Sequence, residues 1–353
     1  SSVVGNLITA SAVHGFYVGT RVRSDVGSLP ASANWSTLAW NGEIFCAGAS
    51  NVFYVATGSD GIKWTQRAIA TDGGYGSIAW NGSIFCGTTG LAVAGTSPDG
   101  INWTQHSMPS SKGWGPIAWN GSVFCIISGN SAFVSTSPDG INWTDRALPA
   151  GMQPSDIAWN GSVFCIVSSG VTACATSPDG ITWSSGNLPF VLNRKSIAWN
   201  GLVFCVVSDS ATTTATVATS TDGLTWIAGT MPVATRWYAI SWNGSVFCAV
   251  GLNSSIAATS PDGITWVQRV LPVSAYWQTI TWNGSIFCAL SGNGYASTSP
   301  DGISWTAVVS TLPTPLALST DYWVIPDGLT STAFKVSATR GGSAVALTST
   351  TTG

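Results

Sequence analysis

Charged side chains are scarce in this sequence. Only 8% of its 353 residues are Asp, Glu, Lys or Arg, whereas ordinary globular domains carry about 25%. The formal net charge is −3, and Lys and Arg form no cluster. Because binding to nucleic acid depends on clustered cations that neutralise phosphates, we expect no nucleic-acid partner.

Long apolar runs and metal-binding patterns are also missing. No stretch approaches 18 uninterrupted apolar residues, so we predict no transmembrane helix and no membrane insertion. No basic segment followed by an apolar core opens the chain, which predicts no signal peptide. The first residues are Ser1-Ser2, so processing or origin in a longer polypeptide is an open alternative. No Cys-x-x-Cys, paired His, phosphate-binding loop or EF-hand pattern occurs, which predicts no metal and no cofactor.

The sequence has instead a regular internal repeat. Trp-Asn-Gly occurs seven times, spaced by 39, 40 or 43 residues, and an Asp-Gly-x-x-Trp element follows each copy. The first element begins at Trp40, Trp80, Trp119, Trp159, Trp199, Trp242 and Trp282. The second begins at Asp60, Asp99, Asp139, Asp179, Asp222, Asp262 and Asp301. A fixed period of this length is typical of propellers and solenoids.

The sequence of each copy predicts four short β-strands. In the third copy, Asn120-Gly121 predicts a type I′ hairpin between the first two strands, because that turn needs two positive φ angles. Residues 122–128 are mostly apolar at successive positions, which predicts a strand buried on both faces. Ser137-Pro138-Asp139-Gly140 predicts a tight turn between the third and fourth strands.

Seven copies of four strands predict an all-β fold, a seven-bladed β-propeller of four-stranded blades over residues 31–311. Ring closure would hide the sheet edges and apolar faces that a flat array would expose. Every copy has the same strand order, so the ring can close by packing of blade against blade, without a strand borrowed from the other terminus.

The Ser-x-Asp-Gly-x-x-Trp turn resembles the Asp-box of sialidase-type propellers, although one residue between Asp and Gly is missing. The resemblance implies a structural turn between the third and fourth strands and carries no catalysis with it. Glycosidases generally need a pair of carboxylates, and the one glutamate, Glu43, lies in an Asn-Gly turn. His14 and His106 have no recognisable triad partner. We therefore predict no catalytic residues and no enzyme activity.

Seven of the eight cysteines follow the same Phe of the repeat: Cys46, Cys86, Cys125, Cys165, Cys205, Cys248 and Cys288. Equivalent positions on different blades are expected to lie too far apart for disulfides, which need Cα atoms within roughly 7 Å. We predict buried thiols that act as small apolar side chains, in a protein that folds in a reducing cytoplasm. The eighth, Cys174, could bridge to Cys165, although a free thiol is favoured.

Residues 1–30 and 312–353 lie outside the repeat. They contain His14-Gly15, Val22-Arg23 and Leu29-Pro30, then Tyr322-Trp323-Val324, Ala333-Phe334-Lys335-Val336 and a tail from Leu347 to Gly353. Joined end to end, they resemble a small β module common in bacteriophage structural proteins, especially tail fibres and neck or baseplate components. Leu-Pro on both flanks suggests that the propeller is inserted at a turn of this module. The alternative is two unrelated β tails that cap the propeller.

The resemblance implies a phage virion structural protein, a tail fibre or tail-associated component assembled in the host cytoplasm. Its partners would be other virion tail proteins and a host-surface glycan or receptor, recognised without catalysis by the propeller. Two alternatives stay open, a purely structural protein that decorates or bridges virion subunits and a free β-propeller lectin. Fibre proteins are commonly trimers, so a homo-oligomer is an open alternative, although no coiled-coil heptad here supports a trimer.

The two edges of the predicted ring differ. The Asn-Gly and Asp-Gly turns, such as Asn120-Gly121 and Asp139-Gly140, barely change between copies and fall on one edge, the uniform rim. The turns between second and third strands and the connections between repeats form the other edge, the variable rim. Diversity confined to one rim predicts recognition there.

The position five residues before each repeated Trp-Asn-Gly is expected near the ring axis on the variable rim. It holds Trp35, Tyr75, Trp114, Pro154, Arg194, Trp237 and Trp277, with Arg236, Tyr238, Tyr276 and Gln278 nearby. Aromatic and polar groups of this kind bind sugars or anchor protein interfaces. The predicted ligand-binding residues are Trp35, Tyr75, Trp114, Arg194, Arg236, Trp237, Tyr276 and Trp277. The alternative is that the aromatics pack under the connecting loops.

Overall fold

The computed structural model describes residues 2–4, 7–9, 21–23, 29–30, 33–69, 73–129, 131–191, 193, 195–209, 216–306, 321–325 and 335–337. The regular structure of this part consists of β-strands, which confirms the predicted all-β class. Among these residues no helix is long and apolar enough to cross a membrane. The chain begins with β1 (Ser2–Val4) and β2 (Leu7–Thr9), which pair with each other, and β3 (Arg21–Arg23).

The first five repeats each form a separate sheet of four antiparallel strands in chain order. The strands are β4 (Trp35–Trp40), β5 (Phe45–Ala49), β6 (Tyr54–Gly58) and β7 (Thr65–Ala68); β8 (Ser77–Trp80), β9 (Phe85–Thr88), β10 (Val93–Ser97) and β11 (Thr104–Ser107); β12 (Trp114–Trp119), β13 (Phe124–Ser128), β14 (Phe133–Ser137) and β15 (Thr144–Ala147); β16 (Pro154–Trp159), β17 (Phe164–Ser168), β18 (Ala173–Ser177) and β19 (Ser184–Asn187); β20 (Lys195–Trp199), β21 (Phe204–Ser208), β22 (Thr216–Ser220) and β23 (Ile227–Thr230). The predicted four-stranded blades are thus confirmed for these repeats.

Repeats six and seven share one sheet. Its five strands are β24 (Trp237–Trp242), β25 (Phe247–Ser260), β26 (Val267–Trp282), β27 (Phe287–Ser291) and β28 (Ala296–Ser299). Strand pairing continues where the other repeats have loops, since Leu252 pairs with Tyr276 and Ser254 with Ala275. The described part of the propeller therefore has six blades. The predicted number of seven is wrong, because these pairs join the last two repeats into a single sheet.

The Asn-Gly turns are not the predicted type I′ hairpins. Of the non-glycine residues in the described part, only Asn253 has a positive φ, so the turn asparagines do not meet the type I′ requirement. In the first repeat Trp40 pairs with Phe45, which leaves a loop of four residues. The Oδ1 atom of Asn41 accepts hydrogen bonds from the backbone N–H groups of Glu43 and Ile44, at 2.9 and 2.8 Å. The asparagine side chain thus closes the loop itself.

The Asp-Gly turns lie between the third and fourth strands, as expected. Asp139 Oδ1 accepts hydrogen bonds from the N–H groups of Ile141 and Asn142, at 2.9 and 2.8 Å. Trp143 Nε1 donates to the carbonyl of Gly140 at 3.0 Å. At the equivalent Asp99, burial opposes ionisation, but hydrogen bonds from Asn102, Ile101 and Ser97 outweigh it and lower the pKa to about 2. These carboxylates are bound within their own turns.

The second strand of each repeat supplies the core, because its side chains are buried on both faces. Phe124 to Ser128 are all buried, and so are the five residues of β17 and of β21. The repeated Trp packs on the repeated Phe, with ring centroids 4.6 Å apart for Trp40 and Phe45. The prediction of a doubly buried second strand is confirmed.

The ring closes by packing between the last and first repeats. Trp35, Phe45, Cys288 and Leu290 belong to one apolar cluster. Thr281 Oγ1 donates to the Leu38 carbonyl at 2.9 Å across the same boundary. The closure in the described part therefore joins the innermost and second strands of the last and first repeats.

The two ends of the chain contribute strands to one small sheet. Strand β29 (Asp321–Ile325) pairs antiparallel with β3 on one side and with β30 (Lys335–Ser337) on the other. Most of residues 1–30 and 312–353 lies outside the described residues, and so do Leu312-Pro313, the second of the two flanking Leu-Pro pairs, and the tail from Leu347. The phage-type module and the predicted domain boundaries therefore stay predictions.

Candidate functional site

The aromatic residues predicted to bind a ligand are buried. Trp35, Tyr75, Trp237 and Trp277 have no exposed surface, and Trp114 is 3% exposed. These side chains belong to apolar clusters with buried strand residues of the preceding repeat, as Trp237 does with Val207 and Val217. Trp114 Nε1 also donates to the carbonyl of Ser110, in the connection before β12, at 2.8 Å. A buried ring offers no face to a ligand. The prediction that these five rings face a ligand is corrected accordingly, because they are part of the core.

Tyr75 lies in a slot made by two glycines of its own repeat. A Cβ atom at Gly95 would lie 1.7 Å from the Tyr75 hydroxyl oxygen, and one at Gly87 would lie 2.7 Å from its ring. The equivalent residues of the third repeat are Ser135 and Ile126. The two glycines therefore provide the room that Tyr75 occupies.

Two arginines were also predicted to bind a ligand. Of these, Arg194 lies outside the described residues. Arg236 forms a bidentate ion pair with Asp209, in which Arg236 Nη2 donates to Asp209 Oδ2 at 2.9 Å. The side chain of Arg236 is 42% exposed and that of Asp209 is 4% exposed. The hydrogen bond to Asp209 raises the pKa of Arg236. Sequence reasoning missed this pair because Asp209 and Arg236 lie 27 residues apart.

Tyr276 is half-buried and lines a shallow pocket on the variable rim. The pocket measures about 330 Å³ and lies between the last and first repeats. Its walls are formed by Ala33, Asn34, Asn51, Tyr276, Gly292 and Asn293. Of the eight predicted site residues, the structure therefore brings Tyr276 to a described pocket, together with three asparagines that the sequence did not single out.

A larger cavity of about 550 Å³ runs along the ring axis. The innermost strands line it with hydroxyl, amide and apolar side chains, and Asp156 is the carboxylate among its described lining residues. Asp156 Oδ1 accepts from Ile157 N–H and Oδ2 from Ile197 N–H, both at 2.9 Å. Burial raises the pKa of Asp156 to about 6, against the opposing effect of these hydrogen bonds and one from Ser196.

Asp156 connects its own repeat to the next one by a hydrogen bond. It lies three residues before a repeated Trp, and the equivalent Thr37 accepts from Ile78 N–H of the next repeat at 2.9 Å. Asp156 makes the same connection between repeats four and five. Its carboxylate oxygens are thus occupied by backbone donors, which makes it a structural link in the wall of the cavity.

The described residues form no cluster suited to binding a metal ion. No group of three or more His, Cys, Asp or Glu that could hold a metal ion occurs in the described ranges. Glu43 is exposed in its loop on the uniform rim, on the opposite edge of the ring from the pocket of Tyr276.

No known protein family matches the sequence, and no curated protein does. Several solved structures are similar in fold. A streptogramin B lyase is 11% identical with a TM-score of 0.65, over 79% of this chain and 97% of the other. A catalytically inactive virginiamycin B lyase from Staphylococcus aureus with quinupristin is 10% identical with a TM-score of 0.69, over 79% and 99%. YCF48 bound to D1 peptide is 14% identical with a TM-score of 0.61, over 84% and 98%.

These neighbours differ in what they do, since the first two are enzymes and the third binds a peptide. Identities of 10–14% carry the fold and no activity. The likeness covers 79–84% of this chain with TM-scores above 0.6. Sequence repeats, strand order and structural neighbours together identify this chain as a β-propeller.

Proposed function

We propose that this protein is a phage virion component, a tail fibre or tail-associated protein, whose propeller recognises a host-surface receptor or glycan without catalysis. Other virion tail proteins would hold it in place. The assignment to a virion rests on the resemblance of the two end segments to the phage β module. The assignment of a binding role rests on the structure of the two rims.

The difference between the rims is the observation that carries the binding role. On the uniform rim, the Asn and Asp side chains of the turns accept hydrogen bonds from their own loops, as Asn120 and Asp139 do. On the variable rim, the residues differ from repeat to repeat and enclose the pocket beside Tyr276. Loops that vary on a fixed scaffold are a common basis of recognition.

A matched pair of leucines tests which rim binds. Leu91 is 49% exposed in the turn between β9 and β10 on the variable rim, and Leu202 is 76% exposed in an Asn-Gly turn on the uniform rim. All eight native cysteines are buried, so a maleimide carrying polyethylene glycol should attach to Leu91→Cys or Leu202→Cys alone. We expect the wild type to bind cells from a panel of bacterial strains.

Attaching the polymer to one rim at a time shows which rim binds cells. The polymer on Leu91→Cys should reduce cell binding at least tenfold, whereas the same polymer on Leu202→Cys should leave it unchanged. Loss of binding with the Leu202→Cys conjugate alone would refute recognition at the variable rim. No binding of the wild type to any strain would refute the receptor role.

A purely structural role in the virion is the second candidate. Apolar side chains are exposed on β23 of repeat five and on the first part of β26 in repeat six, with Ile227 at 69%, Val267 at 48% and Val270 at 66%. Exposed apolar side chains can take part in protein contacts. This role predicts that the protein binds purified tail proteins, and that Val270→Ser weakens that binding, while no cell binding is found.

A further inference from the structure

We infer that the pocket between the last and first repeats is a subsite for a neutral saccharide unit. This inference rests on the proposed recognition function and names its site and ligand class. The pocket is lined by the six residues from Ala33 to Asn293 given above, which include three asparagines and one tyrosine and no charged side chain.

Two of the asparagines are held in place by the backbone. Asn51 Oδ1 accepts from Asn34 N–H at 2.8 Å, and Asn293 Oδ1 accepts from Tyr276 N–H at 3.1 Å. Each amide thus has a fixed orientation, and among the described residues neither Nδ2 group has a hydrogen-bond partner. Two oriented N–H donors at a pocket wall suit the oxygen atoms of a ligand.

A buried acceptor lies behind the same pocket. Gln278 is 7% exposed, and its Nε2 group donates to Asn34 Oδ1 at 2.6 Å. Its Oε1 atom is buried and has no hydrogen-bond partner in the described part of the chain. A Cβ atom at Gly292, which lines the pocket, would lie 3.2 Å from this oxygen. Because a buried acceptor without a donor is costly, a hydroxyl group or water entering beside Gly292 would be stabilised there.

The chemistry of the lining selects the ligand class. Sugar hydroxyls both donate and accept hydrogen bonds, which matches amide donors beside an amide acceptor. Tyr276 adds an aromatic ring that can stack on the apolar face of a pyranose. An acidic ligand would require a cation, and the nearby Arg236 is already paired with Asp209. The lining therefore favours a neutral unit over an anionic one.

Saturation-transfer NMR on the full chain tests the inference directly. The probes are neutral hexoses, N-acetylhexosamines and their disaccharides, together with sialic acid and uronic acids. We expect saturation of at least one neutral sugar and of no acidic one. Asn293→Gly should weaken that binding at least tenfold. Asn253→Gly removes the same side chain from the equivalent position of the preceding repeat, within β25, and should leave the affinity unchanged, and the unfolding temperatures of both variants confirm their folding.

Three results would overturn the assignment: saturation of acidic sugars alone, no saturation of any sugar, or neutral-sugar binding that Asn293→Gly does not weaken. If the Leu91→Cys conjugate still loses cell binding in any of these cases, the proposed function stands and only the saccharide subsite is wrong. If the sugars bind as expected but the cells do not, the subsite stands and the receptor role is wrong.

Discussion

Gly263 shows, at the scale of single residues, how neighbouring repeats are joined. Its φ is +77°, and a Cβ atom there would lie 2.9 Å from Thr219 Cγ2 and 3.2 Å from Cys205 Sγ of the preceding repeat. The glycines of all seven Asp-Gly turns meet a Thr of the preceding repeat in this way, and six of them also meet the repeated Cys. The cysteine recurs because a small, soft side chain fits against a glycine.

This joint predicts a difference between two glycines of the sixth repeat. Gly244 has a φ of +93° with open space around it, so Gly244→Ala incurs backbone strain alone, about 1–2 kcal/mol. Gly263→Ala adds a clash with the preceding repeat and should lower the free energy of unfolding by about 2–4 kcal/mol. Urea denaturation of both variants measures the difference. Equal losses would mean that the Gly–Thr–Cys contact contributes nothing.

Residue-level prediction from the sequence succeeded for the cysteines and failed for the aromatics. All eight thiols are buried and none of them forms a disulfide, and seven of them occupy the position after a repeated Phe for which burial was predicted. Trp35, Trp237 and Trp277 were expected to present a face to a ligand, yet they are fully buried. Their burial depends on packing against the preceding repeat, as that of Trp237 does on Val207 and Val217. Such packing is not encoded in the spacing of a motif.

At the scale of strands, the innermost strands are linked by side chains that accept backbone hydrogen bonds from the next repeat. Thr37 does so with a neutral hydroxyl, whereas Asp156 does so with a carboxylate whose pKa is raised to about 6. A neutral acceptor has no dependence on pH. Of these two links, the one that Asp156 makes between repeats four and five therefore changes its protonation with pH.

Asp156 should make stability depend on pH between about 4 and 6. Because its pKa is higher in the folded state, the folded protein holds a proton that the unfolded chain releases, so stability falls as pH rises through this interval. The loss should be roughly 1–3 kcal/mol, since the group lines a cavity and is only partly buried. Asp156→Asn should remove this component. Urea denaturation at pH 4 and pH 7 checks it, and identical pH profiles for wild type and variant would contradict it.

Strand order was predictable from the sequence, whereas the joining of repeats six and seven was not. Repeated turn signals fix which segments are strands and how each hairpin pairs. The pairs of Leu252 with Tyr276 and Ser254 with Ala275 connect a turn to a connection in the next repeat. Such pairing depends on the approach of two loops in space. The same reason explains why Asn34, Asn51 and Asn293, which lie far apart in sequence, were not foreseen as one pocket.

At the scale of the whole molecule, the cysteines are spread over every repeat of the ring. Each is fully buried, and burial raises the pKa of the Cys46, Cys86 and Cys288 thiols far above the usual value. A ring in which each repeat contacts two neighbours is expected to open cooperatively. The thiols therefore report on the folding of the complete ring.

The thiols should therefore react with a labelling reagent only when the whole ring unfolds. In native buffer at pH 8 we expect no reaction of the eight thiols on the scale of minutes, because the reactive thiolate is suppressed and shielded. With increasing denaturant, all eight should become reactive in a single transition that coincides with the loss of tryptophan fluorescence. Mass spectrometry counts the labels. Partly labelled protein below that transition would show that single repeats open independently.

The Gly–Thr–Cys joint makes the repeats interchangeable parts. Six of the seven joints use the same three residue types in the same places, so a recombination event that replaced one repeat by another would leave the boundary between neighbours intact. The exceptional slot of Tyr75 would travel as a unit, because Gly87 and Gly95 belong to the same repeat. Shuffling of this kind would renew the loops of the variable rim while the ring itself stayed the same.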